Sequence, residues 1–242
     1  MCENLMSNEP EKLSIKANDN DTVTALLYPA AKKTRLGVTI ILGHGAGANQ
    51  YSGFMKLFAS GLAERGFDAL TFNFVYTELG KGVPDAKPKL EACFRAVIEA
   101  AGKHKKLKGN RLLIGGKSMG GRIASQVAAE AGQSGESIAD GLVFLGYPLH
   151  PPGNPSKLRV DHLPQIKVPM LFVQGTRDSL GTVDEIKPFI KKLKLRAEIY
   201  AIEGGDHSFK APKKFGKTQE EIYQSAMDEI VRWTSEGEWV SG

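Results

Sequence analysis

The feature that most constrains this chain is a Gly-x-Ser-x-Gly motif at residues 116–120, which joins two patterns of different kinds. Residues 111–115 are a mainly apolar run that predicts a β-strand, and residues 122–129 have a helix-like composition. A serine at a tight turn from strand to helix is typical of a nucleophile elbow, which presents the Ser118 hydroxyl above the sheet edge. Glycines fit this turn, because side chains there would collide with the adjoining strand or helix.

Two other interpretations fit the same residues. Gly-Lys-Ser also closes a phosphate-binding P-loop, but that motif needs a glycine five residues before Gly116, where this chain has Arg111. The simpler alternative is a glycine-rich turn without chemistry. Since a serine nucleophile needs partners on other loops, the rest of the chain distinguishes these possibilities.

Composition indicates a globular chain. The 242 residues are 41% hydrophobic and 24% charged, and we expect one α/β domain over residues 1–242. No apolar run approaches the roughly 18 residues that a membrane span needs, and residues 1–10 lack a signal-peptide pattern. Cys2 and Cys93 are too few for a disulfide framework, and Cys93 lies on the apolar face of a predicted helix. We therefore expect a cytoplasmic protein without membrane attachment.

The formal net charge is +5, and lysines cluster at residues 103–108, 187–196 and 210–217. Such clusters either form a surface for nucleic acid or lie on solvated helix ends. Because no row of stacking aromatics is interleaved with the lysines and no nucleic-acid motif is present, we expect no nucleic-acid partner.

Strand-like and helix-like segments alternate along the chain. Strands are predicted at residues 13–17, 22–28, 36–42, 67–73, 111–115, 141–146, 168–174 and 196–202. Helix-spaced apolar residues predict helices at 54–62, 90–101, 122–129 and 183–193, where Pro188 marks a start or kink, and a last helix after a capping box at 218–221. This order predicts an α/β fold with a doubly wound, mostly parallel sheet, helices on both faces and an N-terminal antiparallel hairpin.

The remaining segments are predicted to be irregular. Residues 74–84 and 203–217 are expected to be loops, and residues 147–165 contain five prolines, with room for one helical turn near 157–163. The spacer from Gly146 to Val168 is about twenty residues long, which is too short for a lid of several helices. We expect a minimal cap and an open site.

A catalytic triad of Ser118, Asp178 and His207 follows from the order of the loops. In open α/β sheets, function collects at the carboxyl ends of strands, and Asp178 and His207 each follow a predicted strand. A serine nucleophile needs a histidine base, and the histidine needs a carboxylate to orient it. Asp184 and Glu203 are alternative acids, whereas Asp206 adjoins the histidine and is expected to point away from it. The other histidines are expected at the surface, namely His104, His150 and His162.

The oxyanion hole is predicted to consist of two backbone amides, those of Met119 and Ala46. Met119 follows the serine, and Ala46 lies in the glycine-rich loop after the third strand, where backbone N–H groups can face a substrate. His44 in that loop is expected to hold the loop rather than to act as a catalyst. No His or Cys cluster has metal-ligand spacing, so neither a metal nor another cofactor is expected.

Taken together, these motifs resemble the α/β-hydrolase superfamily, specifically its dienelactone-hydrolase-like branch. The resemblance rests on residues 44–47, 116–120, 176–178 and 205–207. Longer stretches at 115–122, 146–152 and 174–178 resemble small uncharacterised hydrolases that are similar to the hydrolase-like domain of a scaffold subunit in a histone-acetyltransferase complex. Dienelactone hydrolases carry cysteine as nucleophile, whereas this chain has Ser118, so general ester hydrolysis is the safer inference.

The expected function is that of a serine hydrolase that cleaves a small carboxylic or thio ester through an acyl-enzyme intermediate. The alternative, which the scaffold-subunit resemblance motivates, is a catalytically silent protein-interaction module. Lys117, beside the nucleophile, could attract an anionic substrate or be held by backbone carbonyls or a nearby acid. Candidates for lining the substrate pocket are Phe74, Tyr76, Tyr147 and Leu149.

Overall fold

The computed structural model describes residues 9–236, so that Cys2 and most of the N-terminal segment 1–10 lie outside the described residues. Eight strands form one sheet. They are β1 Glu11–Lys16, β2 Thr22–Tyr28, β3 Val38–Gly43, β4 Phe67–Phe72, β5 Arg111–Lys117, β6 Gly141–Leu145, β7 Met170–Gly175 and β8 Ala197–Ile202.

The strand order across the sheet is β1-β2-β4-β3-β5-β6-β7-β8. β1 pairs with β2, and β2 with β4, in antiparallel orientation, and every pair from β4 to β8 is parallel. The predicted mostly parallel sheet with an N-terminal hairpin is therefore confirmed. β5 lies between β3 and β6, which places its carboxyl end at the centre of the edge where such sheets bind ligands.

Helices cover both faces of the sheet, as predicted. Apolar residues of α3 and α4 pack into one core cluster, and those of α1 and α6 pack into a second one on the other face. The helices are α1 Gly53–Glu64, α2 Val75–Glu78, α3 Lys87–Lys103, α4 Met119–Gln133, α5 Val183–Lys192 and α6 Gln219–Glu236. Among residues 9–236, no helix combines the length and the apolar character that crossing a bilayer requires.

The capping box predicted before the last helix is confirmed. The Thr218 N–H donates to Glu221 Oε2 at 2.7 Å, and the Glu221 N–H donates to Thr218 Oγ1 at 3.2 Å. A second capping box, formed by Thr182 and Glu185, starts α5. Pro188 therefore lies inside α5 and does not start it, because the cap fixes the first turn several residues earlier.

Three local predictions differ from the structure. Residues 74–84, predicted to be a loop, contain α2, whose single turn is too short to produce a helical period in the sequence. The short turn expected near 157–163 is a 3-10 turn at Leu163–Gln165. α4 also begins earlier than predicted, at Met119, directly after the serine turn.

The serine turn depends on an unusually close approach of three backbone segments. A Cβ added at Gly116, at the end of β5, would lie 2.1 Å from the Gly43 carbonyl oxygen of β3. A Cβ added at Gly120, in the first turn of α4, would lie 2.1 Å from the same oxygen. Gly116 also has φ of +141°, which residues with a side chain rarely adopt. We call this contact of Gly43, Gly116 and Gly120 the glycine joint.

We predict that Gly120→Ala lowers the free energy of unfolding by at least about 1–3 kcal/mol, because the new methyl group must displace backbone rather than a flexible side chain. Urea or guanidinium denaturation measures the change. The matched control is Gly102→Ala in α3, where a Cβ meets no atom within 4 Å. It should leave stability unchanged or raise it by up to about 1 kcal/mol. Equal effects of both substitutions would contradict a tight glycine joint.

Candidate active site

Ser118 lies on the turn between the end of β5 at Lys117 and the start of α4 at Met119. Its backbone has φ of 50° and ψ of −111°, a conformation that non-glycine residues keep only where the surroundings impose it. The Ser118 N–H donates to the Leu145 carbonyl at 3.1 Å, and the Arg122 N–H donates to the Ser118 carbonyl at 3.0 Å. The local geometry is that of the predicted elbow at the carboxyl end of the central strand.

Three side chains from three separate loops meet at this edge of the sheet. His207 Nε2 lies 2.8 Å from Ser118 Oγ, and His207 Nδ1 lies 2.8 Å from Asp178 Oδ2. Because a carboxylate only accepts hydrogen bonds, Nδ1 is assigned the proton and Nε2 is left to accept one from the hydroxyl. The arrangement can accept a proton from Ser118 and stabilise the imidazolium that results.

Asp178 is held by more than the histidine. Its side chain is fully buried, and its Oδ1 accepts the Leu180 N–H at 2.8 Å. Gln174, also fully buried, donates from Nε2 to Asp178 Oδ2 at 2.9 Å and to the Gly181 carbonyl at 2.6 Å. Gln174 Oε1 accepts the Tyr147 N–H at 2.7 Å. Gln174, at the end of β7, thus links the Asp178 carboxylate to the loop at Tyr147 and to the loop at Gly181.

Sequence reasoning did not assign Gln174 a role of its own. The available signal was a single amide side chain at the end of the otherwise apolar strand predicted at 168–174. A buried amide at such a position needs partners, and here the partners include the triad acid.

The other candidate acids do not contact the histidine. The Asp184 side chain is 94% exposed on α5, and Glu203 accepts a bond from a threonine hydroxyl. Asp206 Oδ1 accepts the Ser208 N–H at 2.7 Å and so stabilises the turn that carries His207. The expectation that Asp206 points away from its neighbour agrees with this contact.

The two candidate oxyanion-hole amides flank Ser118. Met119 is the first residue of α4, where a backbone N–H has no partner within the helix. Gly45, next to Ala46, packs against the turn, since a Cβ added there would lie 3.6 Å from Ser118 Cβ. The Ala46 N–H donates to no group among residues 9–236. Both amides are available to an oxygen that develops negative charge beside Ser118.

His44 is fully buried and holds the loop that carries Gly45 and Ala46. Its Nε2 accepts the Phe74 N–H at 3.2 Å, so Nδ1 carries the proton and donates to the Gly45 carbonyl at 2.9 Å. Burial lowers the pKa of His44, which keeps the ring neutral. These contacts fit the expected loop-holding role.

A cleft of about 510 Å³ opens beside Ser118 and His207. Its walls come from the loop after β3, the start of α1, the histidine loop and α6. The lining residues are Gly45, Ala46, Ala48, Ser52, Phe54, Met55, Lys117, Ser118, Leu180, His207, Ser208, Lys210 and Tyr223. The cleft therefore combines aromatic and aliphatic walls with a few polar groups around the serine.

The four residues proposed from the sequence as pocket lining do not form this cleft. Phe74, Tyr76, Tyr147 and Leu149 are all buried in the core. They flank loops at the correct edge of the sheet, but their side chains point into the cluster below it.

The predicted minimal cap is confirmed. Between β6 and β7 the described chain forms one 3-10 turn and no α-helix. Two contacts hold this segment in place. Tyr147 Oη donates to the Arg159 carbonyl at 2.7 Å, and Val160 and Leu163 pack into the α3–α4 core cluster. It therefore lies over that face and leaves the cleft open.

The three histidines expected at the surface are half-buried or buried. His104 is half-buried, and its Nε2 lies 3.5 Å from Glu11 Oε1. His150 is buried, and its Nε2 lies 3.5 Å from Glu185 Oε1. His162 is half-buried, and its Nε2 lies 2.7 Å from Ser125 Oγ. Burial and nearby cations lower the pKa of His162 to about 4, so the ring is neutral at physiological pH. None of these three rings contacts the triad.

Cys93 is buried in α3, as predicted, and burial raises the pKa of its thiol to about 12. A thiol in this state is a poor nucleophile. Within residues 9–236, no three His, Cys, Asp or Glu side chains converge as a metal site would require.

Comparison with known proteins gives the same family that the motifs suggested. A family model described as an alpha/beta hydrolase domain matches residues 37–235, which is most of the chain. Solved structures of low sequence identity share the fold. A dienelactone hydrolase from Anabaena variabilis has 17% identity and a TM-score of 0.69, with 94% of this chain and 98% of that chain covered.

Two further structures are described as serine hydrolases. A serine hydrolase homologue from Coxiella burnetii has 20% identity and a TM-score of 0.72, with 95% of this chain and 99% of that chain covered. A serine hydrolase without lid from Xanthomonas campestris has 17% identity and a TM-score of 0.69, with coverage of 96% and 98%. At these identities the likeness establishes the fold, and the dienelactone-hydrolase-like architecture expected from the motifs is confirmed.

We predict that Gln174→Leu lowers the free energy of unfolding by about 2–4 kcal/mol, because it leaves the Tyr147 N–H and the Gly181 carbonyl buried without their partner. Denaturant unfolding monitored by fluorescence measures the change. Gln133→Leu, at the exposed end of α4, is the matched control and should change stability by less than about 0.5 kcal/mol. A Gln174 variant as stable as the control would mean that the amide is dispensable.

Proposed function

The chain belongs to the α/β-hydrolase family, and from this premise we propose that it is a serine hydrolase that cleaves a small carboxylic or thio ester through an acyl-enzyme intermediate. The observation that carries the proposal is the pair of 2.8 Å contacts that link Ser118 Oγ to His207 and His207 to the buried Asp178. Such a chain of contacts allows a serine hydroxyl to be deprotonated as it attacks.

In the acylation step, Ser118 Oγ attacks the ester carbonyl carbon while its proton moves to His207 Nε2. The carbonyl oxygen becomes an oxyanion, which accepts hydrogen bonds from the Met119 and Ala46 amides. When the tetrahedral intermediate collapses, the bond to the leaving alkoxide or thiolate breaks, and His207 returns the proton to that group. The acyl group remains on Ser118 as an ester.

In the deacylation step, a water molecule takes the position of the departed alcohol. His207 Nε2 accepts a proton from this water, whose oxygen attacks the acyl carbonyl within the same oxyanion hole. Collapse of the second intermediate releases the carboxylic acid, and Ser118 Oγ recovers its proton from His207.

Asp178 stabilises the imidazolium that forms in both steps. Its carboxylate is fully buried and receives bonds from Gln174, Leu180 and His207, so it is oriented before the reaction begins. Preorganised charge in a site of low dielectric stabilises a transition state without the cost of reorienting water.

The cleft supports a small and accessible ester as substrate. Its volume of about 510 Å³ is suited to a short acyl or aryl group, and Phe54, Met55, Leu180 and Tyr223 give it apolar walls. Since the segment between β6 and β7 leaves the cleft open, no lid movement has to precede binding.

We predict that Ser118→Ala abolishes labelling by a fluorophosphonate probe and lowers kcat for a 4-nitrophenyl ester by about 10³-fold or more. Gel fluorescence and steady-state kinetics on the purified protein measure the two effects. Ser134→Ala, at the exposed C-terminus of α4, is the matched control and should label and turn over like the wild type.

A wild-type protein that is folded yet neither reacts with the probe nor hydrolyses any ester in a panel of acyl lengths and leaving groups would contradict the proposal. That result would favour a catalytically silent interaction module instead. Hydrolysis that survives at the wild-type rate in Ser118→Ala would place the reaction elsewhere in the protein.

We predict that Asp178→Asn lowers kcat by about 10⁴-fold with a small change in KM, because an amide at this position favours the wrong histidine tautomer. Steady-state kinetics measure the split between kcat and KM. The exposed Asp184→Asn, on α5, is the control and should retain wild-type kcat. An Asp178→Asn variant with undiminished kcat would mean that another group orients His207.

A further inference from the structure

Lys117 is the last residue of β5, directly before Ser118, and its side chain lines the cleft and reaches the histidine loop. Its Nζ donates a hydrogen bond to the main-chain carbonyl of His207. The bond joins the residue preceding the nucleophile to the residue that carries the base, ninety positions further along the chain. It therefore ties together the two loops whose separation sets the distance from Ser118 Oγ to His207 Nε2.

The surroundings of the Lys117 ammonium place it beneath the triad. Nζ lies 5.7 Å from the ring centroids of Phe54 and Phe209, a distance at which a cation is attracted to an aromatic face. A Cβ added at Gly146 would lie 2.9 Å from Lys117 Nζ and 3.5 Å from Asp178 Oδ2, so the cation and the carboxylate flank the same small space.

Little else fixes the position of the His207 carbonyl. The loop between β8 and α6 has no regular structure around His207, and its other bonds lie on either side of the His207 carbonyl. The Arg177 N–H donates to the Gly205 carbonyl at 2.9 Å. Asp206 caps the turn, Gln219 Nε2 donates to the Phe209 carbonyl at 3.1 Å, and Tyr223 Oη donates to the Ser208 carbonyl at 3.3 Å. Apart from the contact between His207 Nε2 and Ser118 Oγ itself, the Lys117 bond is the hydrogen bond that connects this stretch to the nucleophile turn among the described residues.

We propose that Lys117 is a positioning residue whose ammonium ties the nucleophile turn to the histidine loop and so holds the His207 imidazole in register with Ser118. This inference rests on the proposed serine-hydrolase function. Because the ammonium is bound to the His207 carbonyl, this role of Lys117 does not require an anionic substrate.

The positioning depends on the charge of Lys117, which makes it sensitive to pH. Burial lowers the pKa of Lys117 to about 8, while Asp178 and Asp206 act in the opposite direction. Asp178 and Asp206 are the carboxylates that act on the amine, and Lys210, Tyr223 and His207 line the same cleft as Lys117. The charged form is therefore present below about pH 8 and is lost as the pH rises through that value.

The test compares Lys117→Met, which keeps the length of the side chain without the charge, with Lys117→Arg, which stays charged at all accessible pH values. Lys117→Met removes a hydrogen bond from a charged group. We therefore predict that it lowers kcat about 10- to 100-fold at pH 7, with KM nearly unchanged. Lys108→Met, near the opposite end of β5, removes an exposed lysine and is the matched control with wild-type kcat.

The pH profile separates positioning by the charge from a packing role. In the wild type, kcat should fall as the pH rises through about 8. Lys117→Arg should retain substantial activity and extend it to higher pH, whereas Lys117→Met should show low kcat with no decline near pH 8. Wild-type kcat in Lys117→Met, or the same alkaline decline in all three proteins, would overturn the proposal.

NMR of lysine ¹³Cε resonances provides a readout that does not need activity or a folded variant. One resonance, assigned to Lys117 by its absence from the Lys117→Arg spectrum or by sequential assignment, should titrate near pH 8 in the wild type. Titration of Lys117 at the ordinary lysine value of 10.5 would overturn the pH dependence proposed for the contact, even in an inert protein. Absence of hydrolysis together with titration near pH 8 would reject the serine-hydrolase function but would support the charged contact between Lys117 and the histidine loop.

Discussion

The contact of Gly43 with Gly116 and Gly120 is the constraint on which the rest of the site depends. Strand β3, the end of β5 and the first turn of α4 approach so closely that two different side chains would each collide with the same carbonyl oxygen. This approach lets the chain reverse at Ser118 in a left-handed conformation, which lifts the hydroxyl to the sheet edge and leaves the first amide of α4 free. Burial on both faces of the central strand stabilises the strained turn.

Different contacts position the base, His207, and the acid, Asp178, around that rigid turn. Gln174 anchors Asp178 from within the sheet, with bonds to the carboxylate and to the loop at Gly181. His207 lies on a longer loop that bonds to the loop after β7 and to α6, and the Lys117 side chain connects that loop to the turn. The nucleophile and the acid are thus fixed by buried backbone and amide contacts, whereas the placement of the base includes a charged group that can titrate.

Much of this could be predicted from the sequence because the determinants are local or follow chain order. Glycine spacing indicates the turn at Ser118, and loops at the ends of successive parallel strands must converge, which brings Asp178 and His207 to it. The cleft could not be predicted, since Phe54 and Tyr223 lie on α1 and α6 and meet only through tertiary packing. Gln174 was missed for a related reason, because a buried amide reveals its role only through its partners.

The central claim is that Ser118 forms a covalent acyl-enzyme, and trapping that intermediate tests it most directly. The protein would be mixed with an activated ester, quenched in acid within milliseconds to seconds, digested and analysed by mass spectrometry. The account predicts one acyl group on Ser118, which appears before steady state and disappears as substrate is exhausted. An acyl group on Lys117 or any other residue, or hydrolysis with no acylated peptide at any time, would contradict it.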